Sequence, residues 1–420
     1  MRGFATDCPW RFDPGITFLN HGSFGACPET VSAARAAILD ELEANPMVPL
    51  ERDFEARLDA ARSEVASFLG ADPEGTVVVP NATTGVSTVL RSLRFRPGDE
   101  LLTTDHEYNA TLNALAAAAE EARGRVVRAT IRLPIHDPRE VTEAILAAVT
   151  PRTRLALVSH VTSPTGLVFP IGDIVRELDR MGVDTLVDAA HAPGMLPVDV
   201  GALGAAYWTA NGHKWLCGPK VSGVLVVRGD RRDLVRPLVT SHGENDLRSE
   251  RPRLWRRFDW PGTHDPSPFL VLPFAIRLLG TLHADGWPGL MAENRDAATR
   301  TRRRLLEAVG GEAIAPESML GPMAAVTLPG GLLATDDDAI AMRDSLARED
   351  RIEVPISPFP VPAARPSAAA RPTAFLLRVS RQRYVEDADV ERLVEALARR
   401  GIAARRGDAA PAKPSAIVSA

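Results

Sequence analysis

Asn211-Gly212-His213-Lys214-Trp215-Leu216-Cys217-Gly218-Pro219 is the stretch on which the reading of this chain turns. An apolar run, residues 205–209, precedes it, and another, residues 224–228, follows it. Between two strands a lysine sits in a tight loop against the core, not on a solvated helix face. Partial burial favours its neutral amine, the form that condenses with an aldehyde to an imine. An isolated His-Lys pair would be read as a surface turn. The neighbouring elements decide against that here.

Short apolar runs alternate with helical patterns from about residue 50 to about residue 230. The strands expected are Thr76–Val79 and residues 125–133, 155–159, 185–188, 205–209 and 224–228. Amphipathic segments lie between most of them, including Asn109–Glu121 and residues 139–149 and 171–181. The alternation predicts an α/β fold, a mainly parallel sheet covered by helices on both faces. Ligands in such sheets sit at the carboxyl ends of strands. Beyond residue 265 a mostly helical stretch, 267–309, leads to strand-like 324–328, helix-like 338–348, strand-like 375–380 and a closing helix near 387–400. That pattern predicts a smaller α+β domain. The organisation expected is a segment 1–30 lining the site, a large domain 31–265, a small domain 266–405 and a disordered tail 406–420. Six prolines fall between residues 355 and 373, which reads as an extended loop.

Two further motifs sit at expected strand ends. In Val187-Asp188-Ala189-Ala190-His191, the aspartate lies 26 residues before Lys214. A carboxylate there can pair with a protonated ring nitrogen of a cofactor, or cap a helix. Asn81-Ala82-Thr83-Thr84-Gly85-Val86-Ser87 follows the strand Thr76–Val79 and opens a helical pattern. Its amides, hydroxyls and helix dipole suit a phosphate, or ordinary capping.

Composition excludes several classes. With 420 residues and 45% hydrophobic content the chain can bury a sizeable core. A formal charge of −5 makes nucleic acid a poor main partner. No apolar run approaches the roughly 18 residues of a spanning helix, and MRGFATDCPWRF lacks the apolar core of a signal peptide. Cys8, Cys27 and Cys217 form no pattern, which fits a reducing, cytoplasmic setting, and the nine histidines show no metal-binding spacing.

Phosphate turn, strand-end aspartate and loop lysine, in this order within one α/β pattern, resemble the class V aminotransferase family. These are pyridoxal 5'-phosphate (PLP) enzymes of fold type I, the aspartate aminotransferase-like fold. The resemblance runs from Phe18 to about Leu397. It is nearest the isopenicillin N epimerase-like group, through Leu19-Asn20-His21-Gly22-Ser23-Phe24-Gly25, Ser159-His160-Val161-Thr162-Ser163-Pro164-Thr165-Gly166 and Phe258-Asp259-Trp260-Pro261-Gly262-Thr263-His264-Asp265-Pro266. It implies that Lys214 is the Schiff-base lysine and Asp188 the partner of the pyridine nitrogen. Ala82 and Thr83 fall in the phosphate cradle, with Asn211 and His213 as further phosphate ligands. Tyr108, in Asp105-His106-Glu107-Tyr108-Asn109, matches an aromatic residue stacked on the ring. Ser163 and His191 match polar groups near the phenolic oxygen, where relatives often carry Asn and Gln. Thr263 matches a residue reaching the phosphate of a neighbouring subunit, which implies a homodimer with shared sites. Arg378 matches the clamp for a substrate α-carboxylate, and the same resemblance puts His21 and Ser23 at the substrate.

The family fixes the cofactor better than the reaction. Cysteine desulfurases in it carry a nucleophilic cysteine in the loop before the small-domain arginine. Residues 355–373 hold none, so a persulfide route is disfavoured, and Cys217 reads as a packed residue. Epimerisation or racemisation at Cα, C–S elimination and transamination remain, with the resemblance favouring the first and Tyr108 a conceivable second proton group. The arginine-rich stretch 248–257 reads as a solvated or substrate-facing loop. Non-enzyme alternatives are a PLP-sensing regulator and a catalytically dead scaffold. The early start of the match disfavours the former, and Lys214 with Asp188 the latter.

Overall fold

The computed structural model describes residues 10–361 and 372–402. The expected tail and the middle of the expected proline-rich loop lie outside the described residues. After a short strand β1 (Thr17–Phe18) come the seven strands of the main sheet. They are β2 (Thr76–Val79), β3 (Glu100–Thr104), β4 (Arg125–Ala129), β5 (Thr153–Ser159), β6 (Asp184–Asp188), β7 (Tyr207–Asn211) and β8 (Gly223–Val227). Their order is β2-β8-β7-β6-β5-β3-β4. The pairings from β4 to β7 are parallel, and only β8 runs against both its neighbours. Since β8 is reversed, β2 runs with β7. The carboxyl ends of β2, β3, β5, β6 and β7 therefore share one edge, where an α/β sheet binds its ligand.

Burial explains the strands. β8 reads Gly-Val-Leu-Val-Val and is buried throughout, as a strand covered on both faces must be. The helix Ile171–Arg180 shows the complementary pattern, with Ile171, Ile174, Val175 and Leu178 buried on one stripe. Each such aliphatic side chain contributes about 1.5–3 kcal/mol on leaving water. The helices Ser267–Leu270 and Leu272–Gly280 add Phe269, Leu272 and Ile276 to the core of the main sheet.

A second core forms around β9 (Met323–Thr327), β11 (Ile356–Phe359) and β12 (Ala374–Ser380), an antiparallel sheet of order β11-β12-β9. The two-residue strand β10 (Ile352–Glu353) pairs with β1. The helices Gly286–Val309, Asp336–Glu349 and Asp387–Arg399 accompany this sheet. β11 corrects the expected loop. Ile356 and Phe359 are buried, and Pro358 is tolerated because β11 is an edge strand. The arginine-rich stretch also differs from expectation. Arg253–Phe258 is helical, and Arg251 and Arg257 are buried in ion pairs with Asp59, Asp259 and Glu244. Among the described residues no helix is long and apolar enough to cross a membrane.

Candidate active site

The lysine loop closes on itself. The amide of Gly212 donates to Ser222 O (2.6 Å), Gly218 N to Gly212 O (2.9 Å) and Cys217 N to Lys214 O (3.0 Å). Trp215 is fully buried and fixes the loop to the core. Lys214 is thus held at the sheet edge, only partly accessible. Its Nζ lies 3.0 Å from His191 Nε2. Burial lowers its pKa from 10.5 to about 7, although Asp188 pulls the other way. His191 Nδ1 is buried without a partner among the described residues. Burial first, then Lys214, keeps His191 neutral.

Asp188 ends β6 in register with Ser159 on β5 and Thr209 on β7. One of its oxygens accepts from Ala190 N (2.9 Å), and burial raises its pKa while Lys214 lowers it. The expected phosphate turn lies beside the lysine loop. Asn211 Oδ1 accepts from Ala82 N (2.9 Å), tying the helix Ala82–Ser92 to the carboxyl end of β7. Asn81 caps that helix through Thr84 N (2.9 Å), and Thr83 is half-buried at its start. Gly85 lets this helix sit down on the sheet, since a Cβ there would lie 2.0 Å from Thr209 Oγ1. His213, half-buried, keeps Nδ1 unpartnered, and burial lowers its pKa to about 4. Tyr108 precedes the helix Asn109–Glu121 and leaves 47% of its surface exposed.

The N-terminal segment closes one wall. At Gly25 a Cβ would lie 2.3 Å from His213 O and 2.4 Å from Lys214 O, so only glycine permits this approach. His21 is fully buried, with Nε2 3.1 Å from Lys214 O and Nδ1 2.8 Å from the Tyr384 hydroxyl. Burial lowers its pKa to about 3. A neutral ring with both nitrogens engaged braces the lysine loop. Arg378, on β12, donates to Ser163 O and to Ser23 Oγ (3.2 Å), bringing three expected site residues together. It is buried, makes no ion pair among the described residues, and burial lowers its pKa to about 10. Thr263 is different. It stands exposed in the loop beside Gly262 (φ +111°) and shares none of the contacts that join the Lys214 cluster. Cys217 is fully buried and its thiol pKa is pushed up, which fits the packed residue expected.

One residue of the site carried no signal in the sequence reading. Glu107 is fully buried. Its Oε1 accepts from Ser159 Oγ (2.7 Å), Tyr108 N (2.9 Å) and Thr111 Oγ1 (3.2 Å), while Oε2 has no partner among the described residues. Burial and then the charge of Asp188 push its pKa up to about 7. Only its place just before Tyr108, three residues past the end of β3, could have marked it.

A near-neutral lysine, a strand-end carboxylate, a capped helix start and a buried arginine at one sheet edge define an α/β enzyme of amine–carbonyl chemistry. The Aminotransferase class-V family model matches residues 18–342. The chain is 37% identical over 402 residues to the isopenicillin N epimerase of Amycolatopsis lactamdurans, covering 92% of this chain and 95% of that one. It is 29% identical to a putative L-cysteine desulfhydrase of Oryza sativa subsp. japonica, covering 92% and 85%. Among solved structures, the cystine C–S lyase C-DES superposes with a TM-score of 0.76 at 22% identity, covering 92% and 98%. The chain belongs to the class V aminotransferase family, and with it to the PLP enzymes of fold type I.

The residues present fit that cofactor. Lys214 would supply an amine for the aldehyde and Asp188 a carboxylate for the ring nitrogen. The Nδ1 atoms of His191 and His213, buried and without a partner among the described residues, are polar groups that ligand atoms would satisfy. Tyr108 offers an open aromatic face.

Proposed function

We propose that this protein inverts the α-carbon of an amino acid or amino-acid-derived substrate, as an epimerase of the isopenicillin N epimerase type. The observation that carries this reading is 37% identity to such an epimerase along 92% of the chain. PLP, when bound, withdraws electrons from the α-carbon and so weakens its bonds. The chain's own groups then select the bond and the face. Lys214, with a pKa near neutrality, exchanges the α-carbon proton on one face at physiological pH. Asp188 holds negative charge at the ring-nitrogen end. Ala82, Thr83, Asn211 and His213 hold the phosphate, with Ser163 and His191 at the phenolic oxygen. Arg378 fixes the α-carboxylate through its guanidinium fork, beside Ser23 and His21, and orients the bond to be broken. Inversion needs a second proton path on the opposite face, and Tyr108 is the group we assign there. Thr263 reaches the phosphate of a partner subunit in a homodimer.

A second reading, C–S elimination, is favoured by the similarity to the rice desulfhydrase. Incubation with candidate amino acids in deuterated water separates the two. Deuterium at Cα with inversion supports epimerisation. Sulfide with pyruvate, without inversion, refutes it.

A further inference from the structure

Glu107 is a buried acid with no cation among its contacts in the described residues. Its hydrogen-bond partners are the hydroxyls of Ser159 and Thr111 and the amide of Tyr108, all on Oε1. Ser159, which donates to Glu107, is the cross-strand neighbour of Asp188, so the two carboxyls belong to the same sheet edge. The charged group facing Glu107 is Asp188, and the one facing Asp188 is Lys214. Two carboxylates in one low-dielectric pocket do not both ionise readily, and the proton they keep belongs to the pair.

We propose that Glu107 is a positioning residue for the ring-nitrogen site, sharing one proton with Asp188 and thereby setting the charge that Asp188 presents to the cofactor. This rests on the reading of Asp188 as the ring-nitrogen partner. When Glu107 holds the proton, Asp188 is the single negative charge. When Glu107 is ionised, a second negative charge joins that of Asp188 and strengthens the hold on a protonated ring nitrogen. The unpartnered Oε2 is the atom that carries the proton, since Oε1 already accepts three donors. The buried pair thus grades the electron-withdrawing power of the site across neutral pH.

The test uses two readouts. In apoprotein carrying ¹³C at the glutamate carboxyls, one resonance should titrate near neutral pH and vanish in Glu107→Gln. Asp188→Asn should favour its ionisation about tenfold by removing the like charge. Ser159→Ala should move it the opposite way, because a donor to the ionised form is lost, and this arm stands if Glu107→Gln fails to fold. In holoenzyme, the visible cofactor band of the native protein should show a neutral-pH inflection that Glu107→Gln lacks. A Glu107 resonance titrating in the ordinary carboxylate range, or one indifferent to Asp188→Asn, overturns the shared proton. An unchanged inflection in Glu107→Gln overturns the role at the ring. If Asp188→Asn leaves the cofactor band unaltered at every pH, the reading of Asp188 fails instead, while the apoprotein titration still judges the pair.

Discussion

Replacing Lys214 with methionine should stabilise the apoprotein at neutral pH while removing the anchoring amine. Methionine is similar in length and carries no charge. Burial lowers the lysine pKa from 10.5 to about 7, so the unfolded chain binds the proton more tightly than the folded one. Stability therefore rises with pH between those two values, because unfolding takes up a proton there. Below pH 7 the lysine is charged in both states and the penalty is complete. Above pH 10.5 it is neutral in both and the penalty is gone. At about 1.4 kcal/mol per pH unit the penalty is about 5 kcal/mol. Partial access to the cleft, and the loss of the ammonium that Asp188 faces, reduce the expected gain to about 2–3 kcal/mol. Urea unfolding of both apoproteins from pH 6 to pH 10, at one protomer concentration, measures the gap. It should be widest below pH 7 and narrow toward pH 10. A variant no more stable than the native protein at pH 6, or a gap that ignores pH, would refute the claim that Lys214 is held near neutrality by burial.

Asp188→Ala should retain some cofactor yet lower turnover steeply, by about two orders of magnitude or more if ring protonation is lost; steady-state rates beside the cofactor band check this, and near-normal turnover would reduce Asp188 to a capping residue. Arg378→Lys should keep the cofactor band while substrate KM rises about tenfold, since an ammonium cannot make the paired contact, and Arg378→Ala should fall further. Light scattering after size exclusion should find at least a dimer. Thr263→Ala should weaken cofactor binding without dissociating it, and a fully active monomer would exclude a shared site.

How much was legible in the sequence depended on where burial was apolar. The helix Asn109–Glu121 and strand β2 were read to the residue, because their apolar patterns are uninterrupted. Strand β3 was missed, because it begins with Glu100 and ends in two threonines. Glu100 is buried nonetheless, with a pKa lowered to about 2 by the Thr150 hydroxyl and by Arg125 and Arg152. Ion pairs formed across the sheet edge leave no mark in local hydropathy. Strand β7 was placed two residues early, and the shift matters, because it puts Asn211 at the strand's end, where it binds Ala82 N. The lysine loop, Asp188 and Arg378 were legible because each is a charged residue interrupting an apolar strand or its end. Glu107 was not, because its significance lies in Ser159 and Asp188, on strands about 50 and 80 residues away in the chain.

The charges at the sheet edge form a matched set. Lys214 and Asp188 are electrostatic partners at the sheet edge, and Glu107 is a second acid whose charge Asp188 opposes. Arg378 has no such partner among the described residues. Its guanidinium is buried against a carbonyl and a hydroxyl, both neutral, with Nε unpartnered, so burial alone lowers its pKa. An anion is the ligand that would relieve this cost most, and a planar carboxylate matches the fork. The arginine comes from β12 of the smaller sheet, whereas Lys214 and Asp188 come from the larger one. Binding a carboxylate between them therefore couples the positions of the two sheets to the presence of substrate. In the proposed reaction that coupling would supply control, because a neutral lysine would act on the α-carbon only with the carboxylate held at a fixed angle.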